Sequence, residues 1–309
     1  MTNPERLERL GLGVATQGTL GEPLSDAEAD AVFQAAWDAG VRAFDVAPWY
    51  GLGLAETRLG RFLRGRDGYT LSTKVGVLVR PDATDGYVRD YSADGAQRSL
   101  AESLERLGLE RVDTLYIHDP DAVSLGVQAV VDGAGRALIG LRDAGVVQHI
   151  GLGMNGWQMP LEYARTGLFD RFLLAGRYTL LEQGSLPFME YCAEHGVGVV
   201  VGGVFNTGLL ADPRLGAWYN YAPAPPAVLE RALHLKTVCE RHGTPLSAAA
   251  LQFPLAHPAT HAVLTAARTP DQLRANLKDF VRPIPLAVWR DLKREGLLSE
   301  DVPVSAGDR

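Results

Sequence analysis

The sequence predicts an α/β protein, a closed (β/α)8 TIM barrel in a single domain, on three observations. First, one junction recurs: Ala39-Gly40-Val41, Ala144-Gly145-Val146 and His195-Gly196-Val197 each end a helical pattern with a glycine and begin an apolar run. Glycine supplies the left-handed C-cap that lets a helix turn into a strand. Second, strand-length and helix-length patterns alternate along the chain in eight βα units. Third, several strand runs are almost continuously apolar, as parallel strands covered on both faces must be. Eight units favour a closed barrel over the alternative, an open doubly wound sheet.

The elements follow in order. The first strand lies near Arg9 to Gly13, and Ser25 with Glu28 forms a capping box for the helix after it. The second strand ends at Asp45, before a helix near Ala55 to Leu63. The third is Tyr69 to Val75; beyond a long loop, Ala96, Leu100, Leu104 and Leu107 make a core-facing stripe on a helix from Ala93 to Leu107. The fourth strand, Val112 to His118, precedes a helix near Leu125 to Ala144. The fifth, Val147 to Leu152, leads to a helix near Pro160 to Thr166, and the sixth, Arg171 to Ala175, to one near Leu186 to His195. The seventh, Val197 to Val201, is followed by a loop, a long helix near Pro226 to His242 and a shorter one from Ser247 to Pro254. The eighth strand, Ala262 to Leu264, precedes helices at Pro270 to Phe280 and Leu286 to Gly296. The last dozen residues, rich in Ser, Asp and Pro, read as frayed.

Composition narrows the function class. A chain of 309 residues, 46% hydrophobic, builds a core without disulfides or structural metal. Cys192 and Cys239 read as small buried hydrophobes, with a disulfide the lesser alternative. A net charge of −7 with no basic run argues against nucleic-acid and anionic-membrane partners. The charged N-terminus lacks a signal-peptide core and no 18-residue apolar run exists, so a cytoplasmic location is expected. No HxxxH, HExxH or CxxC spacing marks a metal site, and no GxSxG marks a nucleophile elbow. His118-Asp119 could mimic a metal pair, but neighbours on a strand point to opposite faces.

In a barrel the active site is built at the C-terminal strand ends. Asp45, Lys74 and His118 end the second, third and fourth strands, and Tyr50 follows on the loop after the second. A lone polar residue there is usually a turn or cap; this set has a joint chemistry. An ammonium stabilises a phenolate and lowers a tyrosine pKa, a carboxylate keeps the ammonium charged, and an imidazole can bond a substrate oxygen. Together they suit proton transfer at an oxygen on carbon that gains or loses a hydride.

These residues carry a resemblance. Asp45, Tyr50, Lys74 and His118, with Tyr50-Gly51, Glu56, Leu59-Gly60 and Leu115-Tyr116-Ile117-His118-Asp119, resemble the aldo-keto reductases over nearly the whole chain. Ala47-Pro48-Trp49-Tyr50-Gly51-Leu52-Gly53, the segment Leu174 to Gln183 and Gly202 to Gly208 are similar to the family's sugar 1-dehydrogenase branch, which includes L-fucose, D-threo-aldose and pyridoxal 4-dehydrogenases. The resemblance implies an NAD(P)-dependent barrel with Tyr50 as the acid/base.

It also implies a cofactor site, with departures. The Ser-Asn pair after the fifth strand is here Met154-Asn155, displaced by one; the Gln of the sixth strand falls on Ala175; the aromatic that stacks on nicotinamide falls on Gly202. Arg177 and Tyr178 are the candidates to pack on that ring, and each could equally be structural. Gly203, Val204, Phe205, Asn206 and Gly208 form a glycine-rich loop that can approach a pyrophosphate. By itself that loop could be a plain tight turn. Gly13 and Asp45 complete the implied set, although Gly11-Leu12-Gly13 starts no GxGxxG. Aligning on Asn276, the positions that often grip an adenosine 2′-phosphate read Ala266, Ala267 and Gln272, leaving Arg268 as the single cation. That favours NAD over NADP.

Expected substrate contacts are Trp49, Tyr50, His118, Asp119 and Trp218, the last on a long aromatic loop from Leu210 to Pro226 that could be a lid or could simply pack on the barrel; the loop from Gly76 to Tyr91 faces the same end as Asp119 and could reach substrate hydroxyls. The expected reaction is oxidation of an aldose at its anomeric C1–OH, or the reverse. The alternatives are a general NADPH-dependent aldehyde/ketone reductase, a pyridoxal dehydrogenase, and a nucleotide-sensing subunit that binds a partner protein. The sequence names neither the sugar nor the oligomeric state.

Overall fold

Eight parallel strands close on themselves in the computed structural model, which describes residues 6–18 and 22–305. They are β1 (Leu10–Gly13), β2 (Ala43–Asp45), β3 (Thr70–Val75), β4 (Thr114–His118), β5 (His149–Met154), β6 (Arg171–Ala175), β7 (Gly198–Gly202) and β8 (Thr260–Thr265). Each pairs with its neighbours in sequence, and Gly11 closes the ring by pairing with Ala43 of β2 and Leu264 of β8. Nearest-neighbour parallel pairing is what successive right-handed βα crossovers produce.

The local signals act as read. Gly40, Gly145 and Gly196 sit at φ of 90°, 73° and 68°, where a side chain would be strained. Ser25 accepts from the Glu28 N–H while the Glu28 carboxylate accepts from the Ser25 N–H. Cys192 and Cys239 are buried and free.

Apolar side chains fill two spaces. The larger lies between strands and helices; the smaller lies inside the barrel, where Tyr116, Leu173 and Val200 meet Ala175 and Leu264. β5 is stripped of side chains on its inner face for a reason. A Cβ on Gly151 would strike the Arg171 carbonyl oxygen, and one on Gly153 would press within 3.4 Å of the Lys74 chain. Gly151 thus lets the Arg171 backbone approach, and Gly153 leaves room for the Lys74 chain.

Several expectations need correction. The helix read from Leu125 to Ala144 is broken into Val127–Val130, a π turn at Val131–Gly135 and Arg136–Asp143. The cause is the Tyr91 carbonyl, which accepts the Ala134 N–H at 2.7 Å and draws it out of the helical ladder. The loop after β3 contains a hairpin, Val77–Val79 with Tyr87–Arg89, and the loop after β7 another, Trp218–Tyr219 with Ala222–Pro223. Of the dozen residues read as frayed, Leu298 and Val302 are buried. Burying each stabilises the tail by roughly 1.5–3 kcal/mol, enough to hold it down. Residues 306–309 lie outside the described residues. Among the described residues no helix is long and apolar enough to cross a membrane.

Candidate active site

Side chains alternate along β3, and the alternation divides its labour. Thr73 points outward and donates to Glu56 at 2.8 Å; Glu56, fully buried, accepts from Arg106 at 2.6 Å. Ser72 and Lys74 point inward. Lys74 Nζ donates to Asp45 Oδ1 at 2.7 Å and to the Val46 carbonyl at 2.9 Å, while Ser72 Oγ donates to Asp45 Oδ2 at 2.6 Å. Lys74 is 1% and Asp45 3% exposed, so the ion pair is sealed from water and both carboxylate oxygens are engaged. Burial disfavours the ammonium, but the charges of Asp45 and Tyr50 and their hydrogen bonds outweigh it, and the Lys74 pKa is raised. The lysine is a cation at all working pH values.

Tyr50 stands over this pair. Lys74 Nζ lies 4.9 Å from its ring centroid, and the Tyr50 and His118 rings meet edge to face at 5.9 Å and 89°. The tyrosine loop is fixed from below. A Cβ on Gly18 would come within 2.6 Å of the Tyr50 carbonyl carbon, so only glycine lets the two backbones touch. Here the simple electrostatic expectation needs correction. Lys74 does pull the phenol pKa down, but burial outweighs it and pushes the value up to about 12. The side chain is therefore a neutral proton donor near pH 7.

His118 is 6% exposed, and its Nδ1 is buried without a partner. Burial, then the positive charges of Lys74 and Arg89, hold it well below the usual imidazole range. The ring is therefore neutral near pH 7, with one nitrogen carrying a proton and the other free to accept. The end of β4 is pinned by Tyr91, whose hydroxyl donates to the carbonyls of His118 at 2.7 Å and Asp119 at 2.9 Å.

The opposite-face argument for His118 and Asp119 fails. Asp119 lies past the strand in a left-handed conformation, φ 41°, which swings its carboxylate to 3.7 Å from His118 Nε2. Burial, then Asp121, raises the Asp119 pKa to about 6. Among the described residues no group of three or more His, Cys, Asp or Glu could hold a metal ion.

The remaining predicted residues divide. Trp49 is 43% exposed at the rim, with its ring 6.0 Å from His118 and 6.4 Å from Tyr87. Asn155 Nδ2 reaches Asp119 Oδ1 at 3.5 Å. Arg177 stays near the surface, 3.9 Å from Glu182. Tyr178 is not at the mouth: Gly176, at φ 68°, turns the chain and drives Tyr178 into the core against Phe253 and His257. It cannot stack on a bound ring. Trp218 points to solvent on its hairpin; the neighbour that senses the mouth is Tyr221. Although 60% exposed, Tyr221 lies close enough that burial and the Asp119 charge raise its phenol pKa.

After β7 the chain turns through left-handed conformations at Gly203, Asn206, Thr207 and Gly208. Among the described residues, the N–H groups of Val204, Phe205, Thr207 and Gly208 donate no hydrogen bond. A loop of unpaired N–H groups beside the catalytic mouth suits an anionic group such as a pyrophosphate. The Asn206 side chain, by contrast, is committed: it accepts from Thr179 Oγ1 at 2.7 Å and donates to the Gly176 carbonyl and Asn220 Oδ1, each at 3.1 Å. After β8, Gln272 Oε1 accepts the Arg268 N–H, and Asn276 donates to Thr265 Oγ1 and the Ala266 carbonyl. These side chains shape that corner, next to Gly13, which packs against Thr265 and Leu264.

A phenol, a sealed ammonium–carboxylate pair and a neutral imidazole at one barrel mouth define an oxidoreductase acting on alcohols and carbonyls. The chain belongs to the aldo/keto reductase family, whose model matches residues 9–294. It is 40% identical to a pyridoxal 4-dehydrogenase of Microbacterium luteolum and 40% identical to a D-threo-aldose 1-dehydrogenase of a Pseudomonas species, with 94% of each chain covered in both cases. An aldo-keto reductase of Bacillus halodurans, solved in its holo form, superposes with a TM-score of 0.79 at 25% identity, covering 95% of this chain and 93% of that one. The protein is an NAD(P)-dependent oxidoreductase.

Four residues that position the site escaped the sequence reading: Ser72, Arg89, Tyr91 and Gly18. Ser72 had a signal, since it lies two residues before Lys74 and shares its strand face, and Arg89 and Tyr91 fall in the loop from Gly76 to Tyr91 expected at this end, without being singled out in it.

Proposed function

We propose that the protein oxidises the anomeric C1–OH of an aldose to the lactone, and reduces carbonyls in reverse, with Tyr50 as general acid/base. The observation that carries this reading is the Lys74–Asp45 pair, 2.7 Å apart and sealed beneath the Tyr50 ring. In reduction, the neutral Tyr50 hydroxyl donates its proton to the substrate oxygen as charge develops there; in oxidation the same oxygen returns it. Lys74 stabilises the phenolate left behind, Asp45 and Ser72 hold Lys74 in place, and the His118 Nε2–H orients the substrate oxygen.

The nicotinamide cofactor, when bound, supplies or accepts the hydride. The N–H groups of Val204, Phe205, Thr207 and Gly208 suit its pyrophosphate, Asn155 its carboxamide, and the Ala266–Asn276 corner with Arg268 its adenosine. No cation stands at Ala266 or Gln272 to meet a 2′-phosphate, which supports NAD as the preferred form.

Pyridoxal is the second reading, favoured by a relative of equal identity. One screen decides: aldoses and pyridoxal, each with NAD+ and NADP+, followed at the nicotinamide absorbance. Tyr50→Phe should lower kcat by a thousandfold or more while nucleotide affinity stays within a few-fold. A variant that keeps most of its kcat, or a strong NADPH preference on simple aldehydes alone, would overturn the assignment.

A further inference from the structure

Arg89 belongs to the hairpin Tyr87–Arg89, and aromatic rings connect that hairpin to the reacting centre: Tyr87 to Trp49, Trp49 to His118, His118 to Tyr50. The guanidinium lies 5.1 Å over the Tyr87 ring, and its Nη1 donates to the Tyr87 hydroxyl at 3.2 Å. It also rests against the Tyr91 hydroxyl, whose proton is already given to two backbone carbonyls. Its Nε is buried with no acceptor. Among the described residues, no carboxylate lies within 4 Å of it. Yet its charge reaches both His118 and Asp119. A half-buried guanidinium that meets hydroxyls and no anion, in a protein of net charge −7, is short of acceptors.

We propose that Arg89 is a specificity-determining residue that donates hydrogen bonds to a substrate oxygen remote from the reacting carbon. This rests on the dehydrogenase reading and deepens it. Asp119, beside His118 Nε2, accepts from a hydroxyl next to the reacting carbon; Arg89 supplies the complementary donor further out. The shared chemistry is an oxygen acceptor away from the reacting carbon, whether a distal sugar hydroxyl or the phenolic oxygen of pyridoxal. An unsubstituted aldehyde has no such atom.

The test is a cycle of enzyme against substrate: kcat/KM of wild type, Arg89→Gln and Arg89→Lys for a set of aldoses, for pyridoxal and for butanal. The ratio of oxygenated substrate to butanal should fall roughly tenfold to a hundredfold in Arg89→Gln, the worth of a charged hydrogen bond. Arg89→Lys should fall severalfold, because a single ammonium does not reproduce the fork. A fall confined to aldoses or to pyridoxal supports the proposal and names the source of the oxygen. Equal losses on butanal and oxygenated substrates, the signature of a hairpin brace acting through Tyr91, overturn it, as do unchanged ratios in both variants. If Arg89→Gln does not fold, Arg89→Lys decides by the same ratio. Wild type inactive on every aldose and on pyridoxal, while active on butanal, overturns the dehydrogenase reading and this inference with it.

Discussion

The Tyr91 hydroxyl donates to the His118 carbonyl across 2.7 Å, joining residues 27 positions apart at the end of β4. The same hydroxyl reaches the Asp119 carbonyl, so one phenol fixes the backbone of both residues. Tyr91→Phe takes the hydroxyl donor from the buried His118 carbonyl, while the Asp119 carbonyl keeps the Ala122 N–H, and should cost about 1–3 kcal/mol in urea unfolding. Because His118 loses its anchor, kcat should fall about tenfold. Full activity in a destabilised variant would show that β4 holds its end without help.

Lys74→Met removes a cation and leaves the Asp45 carboxylate buried beside Ser72 alone. Breaking a sealed pair destabilises by roughly 3–5 kcal/mol. Turnover should fall by a thousandfold or more, because nothing then offsets the burial that holds Tyr50 near 12. The double variant Lys74→Met/Asp45→Asn should regain stability and not turnover, read from melts and steady-state rates.

The Asp119 pKa, about 6, lies above its unfolded value near 3.8. The folded state therefore holds the proton more tightly, and this contribution to stability is complete below pH 3.8 and lost as pH rises through 6. Asp119→Asn should flatten the slope of stability across that window, by at most about 3 kcal/mol. In kinetics, an acid limb near pH 6 in kcat/KM for hydroxylated substrates should disappear in the same variant. His118, held well below 6.5, should add no limb of its own near neutrality.

Gly18→Ala drives a methyl group into the Tyr50 backbone, within 2.6 Å of its carbonyl carbon. Backbone cannot step aside as a side-chain tip can. The tyrosine loop should shift, lowering kcat about tenfold or more with the far-UV spectrum unchanged. Wild-type kinetics in this variant would mean that the loop position is not set from below.

The barrel and its candidate reacting residues were legible because they follow local rules. Asp45, Lys74 and His118 mark where apolar runs surface, and the junction glycines mark where helices end. What escaped depends on contacts between distant segments. Nothing near Tyr91 in the sequence signals a bond to residue 118, and Arg89 reaches the mouth only because its hairpin folds over it. For Tyr178 the sequence leaves a ring-packing and a structural role equally open; the left-handed turn at Gly176 and burial against Phe253 favour the structural one. The tyrosine pKa was misjudged because attraction to a cation can be read from residue types, whereas the opposing loss of solvent depends on packing.

The Asn206 side chain clasps the strand-six loop at Gly176 and Thr179 and the aromatic hairpin at Asn220. The loop proposed for the nucleotide and the aromatic hairpin thus share one rivet. If both proposed assignments hold, occupancy on one side should tighten the grip on the other, and Asn206→Ala should weaken nicotinamide-nucleotide and substrate affinity together. Titrations in which only one of the two affinities moves would show the two sides to be independent.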